Sequence, residues 1–164
     1  MTEPDHINYI DIELMEKMCH PMAVALFDSD AEPIATFNEH NKARLEAALA
    51  NPRHDFYSNF TRKAAILYYG INKSHSFPNG NKRTATATLL IFLYINDFEL
   101  AGEKTDIDNY LVTLATRVAQ SKGSQDKDEF LTEIEAWLEK SLVPIKKSEQ
   151  GFFSYILSKI PLIS

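Results

Sequence analysis

A short polar stretch, KSHSFPNGNKRT at residues 73–84, separates two apolar segments of the chain. Pro78, Asn79 and Gly80 are turn formers, and we predict that a helix begins within residues 81–83. The first turn of a helix leaves about four backbone N–H groups without intrahelical acceptors, and these groups attract anions together with the helix dipole. The stretch therefore predicts an anion site at the start of a helix.

Two cations, Lys82 and Arg83, lie at this predicted helix start. Positive charge there opposes the helix dipole and costs some helix stability unless an anion binds. Arginine binds phosphate through paired hydrogen bonds and lysine binds it as a point charge, while Gly80 lets a ligand approach the backbone closely. Taken alone, the two cations are explained as solvated charges. Their position beside the turn favours a phosphate site.

One histidine, His75, precedes the turn. A neutral imidazole close to a bound phosphate can take the proton of an attacking hydroxyl. A single histidine in a loop is usually structural or solvated, and only the ordered combination of residue types points to a general base. Phe77, between the histidine and the turn, is predicted to bury its ring and fix the loop.

Helices are predicted on both sides of the polar stretch and would position it. Apolar residues after Asn59 recur on one helical face, namely Phe60, Ala64, Leu67, Tyr68 and Ile71. After the stretch, residues 85–95 are apolar nearly all round, which predicts a central buried helix closed by Asn96 and Asp97. The candidate site thus joins two core helices.

The rest of the chain also has helical rather than alternating periodicity. We expect helices over residues 9–19 (ended near Pro21), 41–50 (ended by Asn51 and Pro52), 105–120 (opened by a capping box, Thr105 to Asp108) and after the capping residue Asp126. Residues 28–38 are predicted as a loop or a short extended segment. We expect one all-α domain over residues 1–164, a helical bundle with at most one short β-hairpin within residues 32–56.

The C-terminal segment, GFFSYILSKIPLIS at residues 151–164, is apolar and amphipathic. We expect it to form a last helix on the core. A partner-binding or dimer surface is the alternative.

Composition excludes several classes of function. Acidic residues outnumber basic ones 23 to 17, giving a net charge of −6 in 164 residues, so we expect no nucleic-acid partner. Neither a signal peptide nor a membrane span is expected, and the single cysteine, Cys19, fits the cytoplasm. The sequence holds no P-loop or dinucleotide-binding glycine motif, and its other histidines, which match no zinc spacing, are expected to be structural or solvated: His6, His20, His40 and His54.

The motif HSFPNGNKRTA at residues 75–85 resembles the signature of the Fic/Doc (Fido) family, and in particular its death-on-curing (Doc) toxin branch. The pattern of that branch is His-x-Phe-x-(Asp/Asn)-(Gly/Ala)-Asn-Lys-Arg, often followed by Thr-Ala. The matching positions are His75, Phe77, Asn79, Gly80, Asn81, Lys82, Arg83, Thr84 and Ala85. A weaker resemblance covers about residues 44–100.

The resemblance implies an all-helical Fido fold and transfer from ATP, bound with Mg²⁺, to a hydroxyl of a target protein. It implies that His75 is the general base, that Gly80, Asn81 and Lys82 line the anion hole, and that Arg83 pairs with a phosphate. It also implies a flap within residues 32–56 that aligns the target peptide as an added strand.

Differences within the family favour one reaction. In the AMP-transferring Fic branch, a glycine occupies the position of Lys82 and a second arginine occupies that of Thr86. Lys82 adds bulk and charge where a phosphate would lie, and the Doc branch, which has this lysine, transfers the γ-phosphate. We therefore expect a Doc-like protein phosphotransferase. AMP transfer and a non-catalytic module that binds nucleotide or a partner are the alternatives.

Two further differences concern the metal and the regulation. Asn79 occupies a position where an acidic residue often ligates Mg²⁺, and an amide oxygen is a weaker ligand than a carboxylate. Many relatives carry an inhibitory helix with Glu followed by Gly or Asn, and this chain has neither pair. Inhibition is therefore expected from an antitoxin supplied in trans.

Overall fold

The structure, a computed structural model, describes residues 3–146 apart from the side chain of residue 125. The α-helices in this range are α1 (Ile12–Leu14), α2 (His20–Phe27), α3 (Lys42–Ala50), α4 (Phe60–Lys73), α5 (Asn81–Tyr94), α6 (Lys104–Gln120) and α7 (Gly123–Ser141). A π-helical turn, Met15–Cys19, joins α1 to α2, and 3₁₀ turns cover Phe37–Glu39 and Asn51–Arg53. The strands β1 (Phe98–Leu100) and β2 (Leu142–Pro144) form an antiparallel pair. The predicted all-α fold is confirmed.

Helices α4 and α5 form the centre of the domain. Every residue of α5 from Thr84 to Leu93 is buried, as the apolar composition of this segment predicts. Helix α4 packs against α5, α6 and α7, and α2 covers another side of α5. The loop between α4 and α5, residues 74–80, is called the motif loop below. Its two ends are therefore fixed by two of the most buried helices in the described part of the chain.

Asparagines open two of the helices that the sequence predicts. The Oδ1 atom of Asn41 accepts the N–H of Arg44 at 3.0 Å, and that of Asn59 accepts the N–H of Arg62 at 2.8 Å. These caps satisfy backbone donors in the first turns of α3 and α4. The predicted starts of both helices are confirmed.

The helix predicted to end near Pro21 continues to Phe27, so this prediction of its end is wrong. Pro21 lies in the first turn of α2, directly after the π-helical turn. In that turn the N–H of His20 reaches the carbonyl of Met15, five residues back. The wider turn lets the helical path pass a residue that has no N–H to donate.

Two helices begin before their predicted starts, although the predicted capping role of Asp126 is confirmed. Helix α6 begins at Lys104 and its N-cap, Glu103, makes no side-chain cap bond, so the capping box opened by Thr105 does not form. Helix α7 begins at Gly123, before Asp126. The Oδ2 atom of Asp126 accepts the backbone N–H of Lys122 at 2.7 Å, so this carboxylate caps the helix from within its first turn.

The short hairpin expected within residues 32–56 is absent, since this range contains loops, α3 and two 3₁₀ turns. Two backbone N–H groups of the segment before α3 donate to the motif loop rather than to a hairpin partner. The N–H of Ala35 donates to the carbonyl of Asn79 at 3.4 Å, and the N–H of Asn41 donates to that of Ser76 at 2.7 Å. Strand pairing is found only between β1 and β2 in the described part of the chain.

Within residues 3–146, no helix is both long enough and apolar enough to cross a membrane. The segment at residues 151–164, predicted to be a last helix or a partner surface, lies outside the described residues.

The single cysteine should be unreactive in the native protein. Cys19 is fully buried, and burial raises the pKa of its thiol to about 12. Because the thiolate is the reactive form, we expect negligible labelling by iodoacetamide at pH 8 and full labelling in guanidinium chloride. Mass spectrometry after timed exposure measures both. Rapid labelling of the native protein would contradict the buried position.

Candidate active site

The motif loop begins with a set of serine contacts that turn the chain sharply. The Oγ atom of Ser74 donates to the carbonyl of Ile71 at 2.9 Å and accepts the N–H of Ser76 at 3.2 Å. Between the two serines, His75 has a φ of 48°, in the left-handed region. Its side chain is exposed, so the imidazole predicted as a general base is open to a substrate.

Phe77 fixes the middle of the loop, as predicted. Only 2% of its surface is exposed, and its ring stacks on that of His20 with centroids 5.5 Å apart. The rings of Phe37 and His40 lie 6.2 and 6.1 Å from it. The loop is therefore held by an aromatic cluster that draws on α2 and on the segment before α3.

Asn81 closes the loop onto itself. Its Oδ1 accepts the N–H of Phe77 at 3.0 Å, and its Nδ2 donates to the carbonyl of the same residue at 2.8 Å. This side chain was predicted to line the anion hole. Because both of its polar atoms bond to Phe77, its contribution to such a hole would come from its backbone N–H.

Gly80 forms the N-cap of α5 with a φ of 94°. Its carbonyl accepts the N–H of Thr84 at 2.9 Å, and no side chain caps this end of the helix. The N–H groups of the first turn thus remain available to an external anion. A Cβ atom at Gly80 would lie 3.0 Å from Cγ2 of Ile34, so the loop before α3 packs directly on this turn.

Asn79 is oriented by the same loop. Its Nδ2 donates to the carbonyl of Pro33 at 2.6 Å, while no described residue donates to its Oδ1. The oxygen that could ligate a metal is therefore on the exposed side of an otherwise fixed amide. Within residues 3–146, no three His, Cys, Asp or Glu side chains form a metal-binding group.

The two cations of the motif lie at the mouth of a cavity of about 300 Å³. Lys82 and Arg83 line it together with residues of α6, among them Asp108 and Leu111. The Nη1 atom of Arg83 donates to the carbonyls of Phe27, at 3.3 Å, and Glu32. This nitrogen links α5 to the end of α2, and no described residue accepts a hydrogen bond from the other guanidinium N–H groups of Arg83.

Two histidines that the sequence analysis expected to be structural or solvated are structural, and sequence reasoning did not place them beside the motif loop. The Nε2 atom of His20 lies 2.8 Å from the carbonyl of Ala35, and the Nδ1 atom of His40 lies 2.6 Å from that of Phe37. Both rings also pack near Phe77. Their sequence positions gave no sign of this, because they lie on elements that approach the motif only in the folded chain.

The turn at Gly80 should be sensitive to a single methyl group. We expect Gly80→Ala to lower the free energy of unfolding by about 2–4 kcal/mol, because alanine is strained at positive φ and its Cβ displaces Ile34. Urea unfolding followed by circular dichroism measures the change.

A matched control separates strain from crowding. Gly123 also has positive φ, at 79°, but no atom lies within 4 Å of a Cβ built there. Gly123→Ala should therefore lose only about 1–2 kcal/mol. Equal losses in the two variants would contradict a tight contact between Gly80 and Ile34.

Comparison with known proteins identifies the family of the chain. A family model described as "Fic/DOC family" matches residues 3–93, more than half of the chain. The chain belongs to the Fic/DOC family, and the whole motif lies within the matched residues.

One relative gives a more specific likeness. Over 69 residues the chain is 39% identical to a protein named Toxin Doc from Mycolicibacterium smegmatis (strain ATCC 700084 / mc(2)155). The match covers 39% of this chain and 52% of the relative, so the chain spans about half the length of the curated relative it matches. No solved structure has significant similarity to the chain.

Proposed function

We propose that the protein is a Doc-like toxin that transfers the γ-phosphoryl group of ATP to a hydroxyl group of a target protein. One observation carries the proposal. The uncapped first turn of α5, with Lys82 and Arg83 on it, lies a few residues from the exposed imidazole of His75 on a rigid loop. This arrangement would hold a bound phosphate and a proton acceptor on the same loop and helix start.

In the proposed reaction, His75 takes the proton of the acceptor hydroxyl as its oxygen attacks the γ-phosphorus. The new bond joins that oxygen to phosphorus, the bond from phosphorus to the β,γ-bridging oxygen breaks, and ADP leaves. The backbone N–H groups at the start of α5 bind the phosphate oxygens where negative charge develops. Lys82 and Arg83 add positive charge at the same helix end.

The residues fit a nucleotide that brings its own metal ion. Mg²⁺ usually keeps several waters and binds through one or two protein ligands plus substrate phosphates, so a protein cage is not required. The Oδ1 atom of Asn79 would be such a ligand, because the hydrogen bond from its Nδ2 to Pro33 fixes the amide. Bound there, Mg²⁺ would neutralise phosphate charge.

Two residues support phosphoryl transfer over AMP transfer. In the AMP-transferring branch, a glycine occupies the position of Lys82 and a second arginine occupies the position of Thr86. The Oγ1 atom of Thr86 donates to the carbonyl of Lys82 at 3.1 Å and so offers no positive charge to a triphosphate. The triphosphate would therefore have only Arg83 and Lys82 as cationic partners on α5.

The reaction is tested with ATP labelled at either end. The purified protein is incubated with a bacterial extract and with ATP carrying ³²P at the γ or the α position. Protein labelled only from γ-labelled ATP supports the proposal, whereas labelling from α-labelled ATP supports AMP transfer. Absence of both labels, with ATP binding intact, would leave the non-catalytic module as the function.

Arg83 should contribute to ATP affinity itself. We expect Arg83→Ala to weaken ATP binding about 10- to 100-fold, the effect of losing charged hydrogen bonds to phosphate. Isothermal titration calorimetry measures the affinity, and Arg83→Lys, which keeps the charge, should fall between alanine and wild type. Unchanged affinity in Arg83→Ala would place the phosphate site elsewhere.

The antitoxin belongs to the same proposal. The relative named Toxin Doc suggests a toxin that is held inactive by a partner, and this chain has no Glu-Gly or Glu-Asn pair of the kind found in inhibitory helices. We therefore place the inhibitor on a separate protein.

A further inference from the structure

A second concave surface lies beside the motif loop, between α3 and α4. This α3–α4 groove encloses about 670 Å³. Its small residues include Ala47, Ala50 and Gly70, and a Cβ atom at Gly70 would lie 3.8 Å from the carbonyl oxygen of Ala48. The two helices cross closely at this point and leave little side-chain bulk, so an extended chain could approach the backbone there.

The charges along the groove are of one sign. Arg44, Lys73 and Lys127 line it, and no aspartate or glutamate does. The chain as a whole carries 23 acidic and 17 basic residues, so a cationic groove departs from the charge of the molecule. The Nζ atom of Lys73 donates to the carbonyl of Ser121 at 2.9 Å and to that of Ala119 at 3.4 Å.

Acidic side chains near the groove are engaged elsewhere. Glu46 lies 3.9 Å from Lys42, and Asp128 lies 3.9 Å from Arg62. Asp126 accepts the backbone N–H at the start of α7. None of these three carboxylates lines the groove.

The groove leads to the proposed general base. The Nη1 atom of Arg44 donates to the backbone carbonyl of His75 at 3.3 Å. Lys73 and Ser74, which line the groove, immediately precede that histidine in the chain. A segment that lay in the groove would have its end beside the backbone of His75.

We propose that the α3–α4 groove docks an acidic segment of the protein whose hydroxyl is modified. This inference rests on the proposed function, since it assigns a role to the protein substrate of that reaction. Carboxylates of the segment pair with Arg44 and Lys127, and its main chain lies over the alanines and Gly70. Surface charge pairs are individually weak, so several pairs in one groove are needed for selection.

The groove is tested without ATP, with two synthetic fluorescent peptides of twelve residues. One contains Glu, Ala and Ser, and the other has Gln at every Glu position. Fluorescence anisotropy at low salt should give a dissociation constant at least about tenfold lower for the Glu peptide. Equal affinity for the two peptides would overturn the proposal.

Charge-reversal variants locate the binding. Lys127→Glu should weaken binding of the Glu peptide about three- to tenfold, and Ala47→Glu, which puts a carboxylate into the groove, should do the same. Lys140→Glu is the matched control, with the same charge change on α7 as Lys127→Glu but outside the groove lining, and should change the affinity less than about twofold. Equal losses in Lys140→Glu and Lys127→Glu would show a general charge effect and overturn the assignment.

Failure of the groove and failure of the reaction are distinguishable. Peptide binding that depends on Lys127, with no transfer of label to any protein, would support the docking role of the groove and refute the proposed phosphoryl transfer. Transfer to a protein substrate at the same kcat/KM in wild type and Lys127→Glu would keep the function and remove the groove.

Discussion

Replacing His75 with alanine should lower the rate of label transfer from ATP to protein about 10²- to 10⁴-fold, the usual contribution of a general base. The imidazole is exposed, and no hydrogen bond joins it to another described side chain, so its loss removes the proton acceptor with little change in packing. ATP affinity should stay within about twofold of wild type, because the proposed anion site lies on α5 and not on His75. Rates with γ-labelled ATP measure the first effect, and calorimetry measures the second.

Two controls separate chemistry from conformation. The φ of 48° at His75 is unfavourable for alanine but tolerated by asparagine, so His75→Asn keeps the loop conformation and still removes the base. His6→Ala removes an exposed histidine far from the motif in sequence and should transfer label at the wild-type rate. Transfer at the wild-type rate by His75→Asn would refute the assignment of the base.

Replacing Phe77 with alanine should lower the free energy of unfolding by about 3–5 kcal/mol, the range for a fully buried aromatic ring. The ring is 2% exposed and packs among His20, Phe37 and His40, so its removal leaves a cavity beneath the motif loop. Label transfer should fall as well, because the bonds of Asn81 to the backbone of residue 77 lose their support. Urea unfolding and the label assay measure the two effects.

An exposed phenylalanine provides the comparison. Phe56 is 73% exposed, and Phe56→Ala should change the free energy of unfolding by less than about 0.5 kcal/mol. A similar loss in both variants would mean that the ring of Phe77 is not a core residue of this domain.

The central helices could be predicted because their signals are local. Asn41 and Asn59 cap the helices that follow them, and the apolar run after residue 84 allows only a buried helix. The predictions of the helix end near Pro21 and of the hairpin were wrong because contacts with other segments decide the structure there. Pro21 is accommodated by the π-helical turn before it, and the expected hairpin is replaced by hydrogen bonds to the motif loop.

The candidate site was predictable in its order but not in its contacts. His75, Gly80 and the cations could be found because the motif is continuous in sequence. Residue spacing does not specify side-chain conformations. It therefore could not predict the two hydrogen bonds between the Asn81 side chain and the Phe77 backbone, or those from Arg83 to the carbonyls of residues 27 and 32. The contacts of His20 and His40 with the motif loop could not be predicted either, because these residues lie on elements that approach the motif only in the folded chain.

The segment before α3 and the motif loop behave as one cooperative unit. Pro33 accepts from Asn79, Ala35 donates to the same residue, and Asn41 donates to Ser76, so neither segment can open without breaking the hydrogen bonds of the other. Local unfolding of either would therefore expose both. A ligand that stabilises the start of α5 would slow amide exchange at Ala35 and Asn41, and a partner that pulls on residues 33–41 would inactivate the site without touching it.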